Sequence, residues 1–316
     1  MRKLISIVTA VYNEEDNVEA CHAAVKALFE GPLKDYDFEH VFADNCSTDA
    51  TVAVLERMAG AEPRIKVILN ARNFGPMRSA FNALMATTGD AAVPLLAADL
   101  QDPVSLIADF VKLWEQGFEV VHGVRETREE GPVMVAVRRA YYRVVAGMSS
   151  VTVPPNVGEF QLIDRKVVDA LRRFDDHYPY TRGMIARCGF KTTGIPYRVQ
   201  ARQRGISKNR LWHLLDQGMN GLVSTSNVPL RLSMIAGLIL SVASMAYAVV
   251  QLLINVLFFR ELSAPGIGQL TIALFFFSGV QLFFIGVLGE YIGSIHAQVR
   301  GGPVVVERGR INLDRE

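Results

Sequence analysis

Apolar residues in the N-terminal half fall into short runs separated by longer segments of helical period. Leu4–Ala10, Phe38–Asp44, Ile65–Asn70, Ala92–Ala98 and Glu119–Gly123 are rich in β-branched or apolar residues and bounded by turn formers, which predicts strands. Between them, Asn17–Phe29, Asp49–Ala59, Pro76–Thr87 and Pro103–Gln116 repeat apolar positions at the spacing of one helix face. Their starts are expected at Asp16, Ser47 and Pro76. Strand and helix in alternation predict an α/β domain with a mostly parallel sheet flanked by helices. No G-x-G-x-x-G follows the first strand, so a dinucleotide cofactor is not expected.

The pattern changes in the C-terminal third. No charged residue lies between Arg231 and Arg260, and none between Glu261 and Glu290. Each gap exceeds the roughly 20 residues that cross a hydrocarbon core as a helix. The expected organisation is a domain over 1–210, an amphipathic juxtamembrane segment over 211–230, a two-helix transmembrane hairpin over 231–297 (helices at about 232–259 and 266–292) and a tail over 298–316. A buried soluble helix pair is the alternative. Arg198, Arg202, Arg204, Lys208, Arg210 and Arg231 precede the spans, and Arg300, Arg308, Arg310 and Arg315 follow them. By the positive-inside rule both termini face the cytoplasm and only the hairpin tip is exported. Gly286 and Gly289 would allow close helix packing, between subunits of a homo-oligomer among other places. The Val-rich stretch Pro303–Glu307 reads as a strand that pairs with another chain.

Composition agrees with a split character. The 316 residues are 50% hydrophobic yet 21% charged, too apolar for an ordinary soluble enzyme and too charged for a pure membrane bundle. A net charge of +1 gives no reason to expect nucleic acid as a partner. Cys21, Cys46 and Cys188 form no C-x-x-C and are expected as reduced thiols on the cytosolic side. The six histidines are scattered, with none at zinc-ligand spacing. Met1-Arg2-Lys3 runs straight into the first strand, leaving no secretory signal ahead of it.

Candidate chemistry gathers where the strands end. The run Ala92–Ala98 stops at Asp99, and ligands of open α/β sheets sit beyond the carboxyl ends of strands. Asp99, Gln101 and Asp102 offer oxygen ligands suited to a hard cation. A solvated turn in which Pro103 opens the next helix is the other reading. Thr9–Glu15 and Ala43–Asp49 are polar clusters on the same rim. There Asp44 could accept the N–H of a nucleobase and Tyr12 could pack on its face. Ser47-Thr48-Asp49 also reads as a helix N-cap.

The segments TAVYNEEDN (Thr9–Asn17), ADNCSTD (Ala43–Asp49), ARNFG (Ala71–Gly75) and AADLQDP (Ala97–Pro103) resemble those of family 2 inverting glycosyltransferases of the GT-A fold. GEFQLIDR (Gly158–Arg165) and ARQRGISKN (Ala201–Asn209) are similar to the polyisoprenyl-phosphate glycosyltransferase branch, which includes dolichyl-phosphate mannose synthase and bacterial undecaprenyl-phosphate sugar transferases. The resemblance implies a GT-A catalytic domain that moves a hexose from a UDP- or GDP-sugar to a polyprenyl phosphate. The lipid would be undecaprenyl phosphate, at the cytoplasmic face of a bacterial inner membrane, for cell-envelope glycosylation. It implies that Ala10, Tyr12, Glu14, Asp44, Asn73, Gln101 and Arg125 line the nucleotide-sugar site. Asp99, assisted by Gln101, would hold Mg²⁺ or Mn²⁺ on the diphosphate. Glu159, Arg202 and Lys208 would join Asp99 in catalysis. Arg128, Arg138, Arg139, Arg204 and Ser207 lie in basic segments that would receive the lipid phosphate, attraction to anionic headgroups being the alternative. The sequence departs from the family pattern at Ala97, where Asp is usual, at Asn45-Cys46, where Asp-Gly is common, and at Gln161, where Arg is frequent.

The chemistry so implied is attack by a lipid phosphate oxygen on the anomeric carbon, with inversion and loss of a nucleoside diphosphate. The nucleophile is already ionised at neutral pH, so no strong base is required. The departing diphosphate needs cations. For Arg202 and Lys208, attraction to anionic headgroups is the alternative to a ligand role. Val133–Val151 reads equally as an interfacial helix or a soluble surface helix. Two other functions compete. A processive polysaccharide synthase would carry Q-x-x-R-W, which Gln200–Arg204 does not provide. A nucleotide-sugar-binding scaffold would have lost turnover with Ala97.

Overall fold

The computed structural model describes residues 2–126, 156–174, 176, 179–199, 267–299 and 302–313, with isolated positions between 230 and 246. Residues 1–143, 151–209 and 301–316 form one compact unit, and 144–150 with 210–300 form a second.

The first unit is built on an eight-stranded sheet: β1 Leu4–Val11, β2 Asp37–Asp44, β3 Ile65–Asn70, β4 Ala91–Val93, β5 Val120–Arg125, β6 Val157–Asp164, β7 Thr192–Tyr197 and β8 Glu307–Ile311. The strand order is β7-β5-β6-β4-β1-β2-β3-β8. β4, β1, β2 and β3 run parallel, while β6 is antiparallel to both β4 and β5, and β7 is parallel to β5. The carboxyl ends of β1 to β5 and β7 therefore share one rim with the start of β6.

Strand alternation sorts the core onto two faces. Ile5, Ile7, Val121, Phe160 and Leu162 face α1 (Val18–Glu30) and α4 (Leu106–Glu115), where Phe29, Phe110 and Trp114 are buried. Val8, Val41, Ile68, Val120 and Ile163 face the other way. They meet α3 (Pro76–Met85), α5 (Arg165–Leu171) and α6 (Thr181–Cys188) through Phe81, Leu84, Val168 and Ile185. Helix α2 (Thr51–Ala61) packs Leu55 and Ala59 with Phe42 and Val67.

Several expectations need correction. The strand expected over Ala92–Ala98 ends at Val93, because Pro94 has no N–H to continue the ladder. The chain nonetheless stays beside β1, with Leu96 N donating to Val8 O at 2.8 Å. Helices α1 and α2 start at Val18 and Thr51 rather than at Asp16 and Ser47, and neither has a side-chain cap at its N-cap residue. The C-terminal strand is Glu307–Ile311, and it pairs antiparallel with β3 of its own chain instead of another chain. Asn312 Nδ2 then donates to Ala59 O and Ile65 O, at 2.8 and 2.9 Å, and pins the end.

In the second unit, Ile267–Val299 is one helix of 33 residues, α7, with exposed Leu270, Leu274, Leu282, Ile285 and Ile292. The first expected span, 232–259, lies almost wholly outside the described residues, as do the loop after it and the segment Val133–Val151. Over the described residues alone, no helix is long and apolar enough to cross a membrane.

Candidate active site

Two loops at the rim are laced together. Asn13, after β1, adopts the left-handed conformation at φ 54°, and Cys46, after β2, does the same at φ 64°. Asn13 N–H donates to Ser47 Oγ at 2.9 Å, and Asn13 Oδ1 accepts Thr48 N–H at 2.8 Å. Glu14 N–H reaches Thr51 Oγ1 at 2.9 Å, and Glu15 Oε2 accepts Ala50 N–H at 2.8 Å. Ser47 thus serves the neighbouring loop, and within the expected cap Ser47-Thr48-Asp49 it is Asp49 whose Oδ1 accepts Thr51 N–H, at 3.0 Å. Tyr12 stands beside this seam with 38% exposure.

Asp44 ends β2 fully buried. Its oxygens accept the N–H groups of Cys46 and Ser47 at 3.1 and 3.2 Å, and Arg308 Nη2 lies 3.8 Å from Oδ2. Next to it, Asn45 Oδ1 accepts from Asn70 Nδ2 at 3.1 Å and from Phe74 N–H at 2.9 Å. Asn73 Oδ1 accepts Gly75 N–H at 2.9 Å, shaping the turn that leads into α3 at Pro76, while Gly75 sits at φ 86°. Asn45 is buried and joins β2, β3 and the Asn73 turn, so its amide has a structural task.

The Asp99 loop is the third part. Leu100 is left-handed at φ 55°, and Asp99 Oδ1 accepts Gln101 N–H at 3.3 Å; both Asp99 and Gln101 are partly exposed. Asp102 behaves differently. It is 4% exposed and accepts from Tyr197 O–H, and from Arg125 Nη2 at 3.2 Å. Arg125 Nε in turn donates to Tyr197 Oη at 3.0 Å, closing a ring of three side chains from two strands and a loop. Burial and the Asp102 carboxylate push the Tyr197 hydroxyl well above the usual phenol range. Arg125 still exposes 46% of its side chain.

Glu159, near the start of β6, lies 3.8 Å from Arg182 Nε. Burial raises its carboxyl above the ordinary range, with Arg182 and Arg125 opposing the shift. Arg182 is itself held by Tyr180 Oη and Val157 O at 2.6 and 2.9 Å.

The rim thus brings together Ala10, Tyr12, Glu14, Asp44, Asn73, Asp99, Gln101, Arg125 and Glu159, from the carboxyl ends of β1, β2 and β5, the start of β6 and the loops after β1, β3 and β4. Arg128, Arg138, Arg139, Arg202, Arg204, Ser207 and Lys208 lie outside the described residues. Sequence reasoning missed Tyr197, Arg182 and Arg308. In the sequence Arg308 reads as charge flanking a span, and nothing local marks β7 or β8 as neighbours of the rim.

Among the described residues no group of three or more His, Cys, Asp or Glu side chains could hold a metal. One carboxylate and one amide oxygen, the donors that Asp99 and Gln101 would offer, are chemically a set that Mg²⁺ accepts when phosphate oxygens and water complete its shell. Asp102, engaged by Tyr197 and Arg125, is a poor third ligand.

The model of the glycosyl transferase family 2 matches residues 6–172. The uncharacterized glycosyltransferase YkcC of Bacillus subtilis (strain 168) is 32% identical over 313 residues, covering 98% of this chain and 95% of the relative. The bactoprenol glucosyl transferase of Shigella phage SfX is 31% identical over 307 residues, covering 97% and 99%. Among solved structures, the mannosyltransferase PcManGT from Pyrobaculum calidifontis, in complex with GDP-Man and Mn²⁺, aligns with a TM-score of 0.49 at 19% identity, over 95% of this chain and 87% of that one.

Proposed function

The chain belongs to glycosyl transferase family 2, and from that premise we propose that it is a membrane-bound inverting transferase moving a hexose from a nucleotide-sugar to a polyisoprenyl phosphate, undecaprenyl phosphate foremost. The observation that carries the acceptor is the reach of the similarity. Relatives named bactoprenol glucosyl transferase match across nearly their whole length, through the apolar C-terminal third as well as the sheet. Glucose is accordingly the first sugar to test.

In this reading Tyr12 packs on the base beside Asp44, and Asp99 with Gln101 faces the diphosphate. A divalent cation, when bound there, offsets the charge that builds on the leaving group. Arg125, oriented by Tyr197 and Asp102, presents a fixed guanidinium to a phosphate from the same rim. Glu159 orients the sugar or the acceptor. Arg202, Lys208, Arg204 and Ser207, with Arg128, Arg138 and Arg139, receive the lipid phosphate.

The hairpin over 231–297 anchors the catalytic domain at the cytoplasmic face. The pairing of β8 with β3 supports this topology: the chain that leaves after residue 209 returns to the same sheet, so an even number of crossings separates the two parts. The test is glycolipid formation by detergent-solubilised protein with undecaprenyl phosphate, Mg²⁺ or Mn²⁺ and a panel of UDP- and GDP-sugars. A lipid-phosphate-hexose mass supports the reading, and its absence with every donor beside an active relative overturns it.

A further inference from the structure

We infer that Tyr197 is a positioning residue for the transfer: its hydroxyl locks the Asp99–Asp102 loop and the Arg125 guanidinium to the end of β7. The inference rests on the function proposed above. Tyr197 is 6% exposed, and its hydroxyl makes two bonds of opposite sense, donating to Asp102 Oδ1 and accepting from Arg125 Nε at 3.0 Å. Arg125 Nη2 closes the ring on both Asp102 oxygens, at 3.2 and 3.4 Å.

The three residues come from parts of the chain with different tasks. Asp102 is three positions beyond Asp99 and one beyond Gln101, so holding its carboxylate holds the loop that carries both. Arg125 is the last residue of β5 and pairs with Tyr197 in the register of β5 and β7. Tyr197 is the last residue of β7, and the basic segment Arg202–Lys208 follows it within a few residues. One phenol therefore ties the diphosphate-facing loop to the end of β7. The ring is also supported from the side: Tyr197 packs edge-on against Phe160, with centroids 5.8 Å apart and planes at 71°. Removing the oxygen alone leaves that packing in place.

Asp102 accepts bonds from two neighbours while Asp99 and Gln101 beside it stay partly exposed. Leu96 and Leu100 hold the apolar side of this loop against the core, and the ring at Asp102 holds its polar side. Buried charge-assisted bonds are the strong ones, and they fix the geometry of what they hold.

The test compares the full-length wild-type protein, Tyr197→Phe and a control, Tyr36→Phe, whose hydroxyl donates to Glu115 at 2.9 Å on α4. Amide hydrogen exchange without ligands is read over 95–103 and over β2, alongside kcat and KM for the nucleotide-sugar. Expected for Tyr197→Phe is exchange about tenfold faster over 95–103, with β2 unchanged and kcat lowered about tenfold. Tyr36→Phe is expected to leave both readouts as in the wild type. Unchanged exchange over 95–103, equal acceleration over β2, or faster exchange with unaltered kinetics each overturns the inference. Should the wild type transfer no sugar at all, the function proposed above fails, and the exchange comparison still decides whether Tyr197 holds the loop.

Discussion

Arg308, on the strand that follows the apolar third of the chain, places Nη2 3.8 Å from the Oδ2 of Asp44, at the end of β2. The C-terminal tail is therefore part of the catalytic domain's rim. Arg308 is half-exposed and its pairing is loose, so Arg308→Ala should cost less than about 1 kcal/mol. Asp44→Ala should cost about 1–3 kcal/mol, because the Cys46 and Ser47 amides lose a buried acceptor. Denaturant titration of the two variants checks the order; a larger loss for Arg308→Ala contradicts it.

Cys46 offers a stabilising change. It holds φ 64°, a conformation that costs an L-residue about 1–2 kcal/mol and glycine almost nothing. Part of that gain is offset by the greater freedom of glycine in the unfolded chain. Cys46→Gly is therefore expected to raise the Tm slightly or leave it unchanged. A fall of several degrees would show that the thiol makes a contribution the backbone argument omits.

Glu159 sets stability against activity. Its carboxyl is raised by burial, so ionisation at neutral pH works against the fold. The sign follows from the unfolded chain, which releases this proton at lower pH than the folded one. The penalty is absent below the unfolded value and grows as pH rises to the folded one. Glu159→Gln removes it, while Arg182 keeps Tyr180 Oη and Val157 O as acceptors. The expected result is an equal or higher Tm at pH 7 with transfer reduced about tenfold or more. A lower Tm would mean that the Glu159–Arg182 pair outweighs the burial.

Acid should weaken the fold through a buried pair of imidazoles. His40 is fully buried, its Nδ1 is 3.2 Å from that of His22, and Thr9 Oγ1 is 3.0 Å from its Nε2. His22 also faces Glu62 at 3.4 Å, beside Lys26 and Arg64. Burial lowers both histidines below their ordinary value, His40 far below. The unfolded chain then binds the extra protons, so stability is whole above about pH 6.5 and falls as pH drops from there toward the folded values. His40→Phe should flatten the dependence of unfolding free energy on pH between about 7 and 5.5. An unchanged slope would place the acid sensitivity elsewhere.

The half of the sheet built from β1 to β4 was legible because each strand is a short apolar run followed by an amphipathic helix. The rim was legible as well, since polar clusters at Asn13, Asp44 and Asp99 interrupt those runs. Pro94 was the overlooked signal within the fourth run, where composition still read as strand. β7 could not be read locally: Thr192–Tyr197 holds a glycine and a proline, and it is made a strand by pairing with β5. Tyr197 and Arg308 reach the site only through such long-range pairing. The departure at Asn45 has a local explanation, because its amide oxygen accepts from Asn70 and Phe74 together. The structure offers no account of Ala97 beyond its carbonyl, which accepts Leu100 N–H at 3.2 Å.

The most direct measurement is lipid mass spectrometry on reactions of the solubilised protein and its Asp99→Ala variant, with undecaprenyl phosphate, divalent metal and UDP- and GDP-sugars. Expected is a lipid-phosphate-hexose from the wild type, with Ala97 in place, and a yield from Asp99→Ala lower by about a hundredfold or more. Equal yields from the two would remove Asp99 from the mechanism. A wild type that binds nucleotide-sugar yet forms glycolipid only after Ala97→Asp would contradict the assignment and make the protein a nucleotide-sugar-binding scaffold.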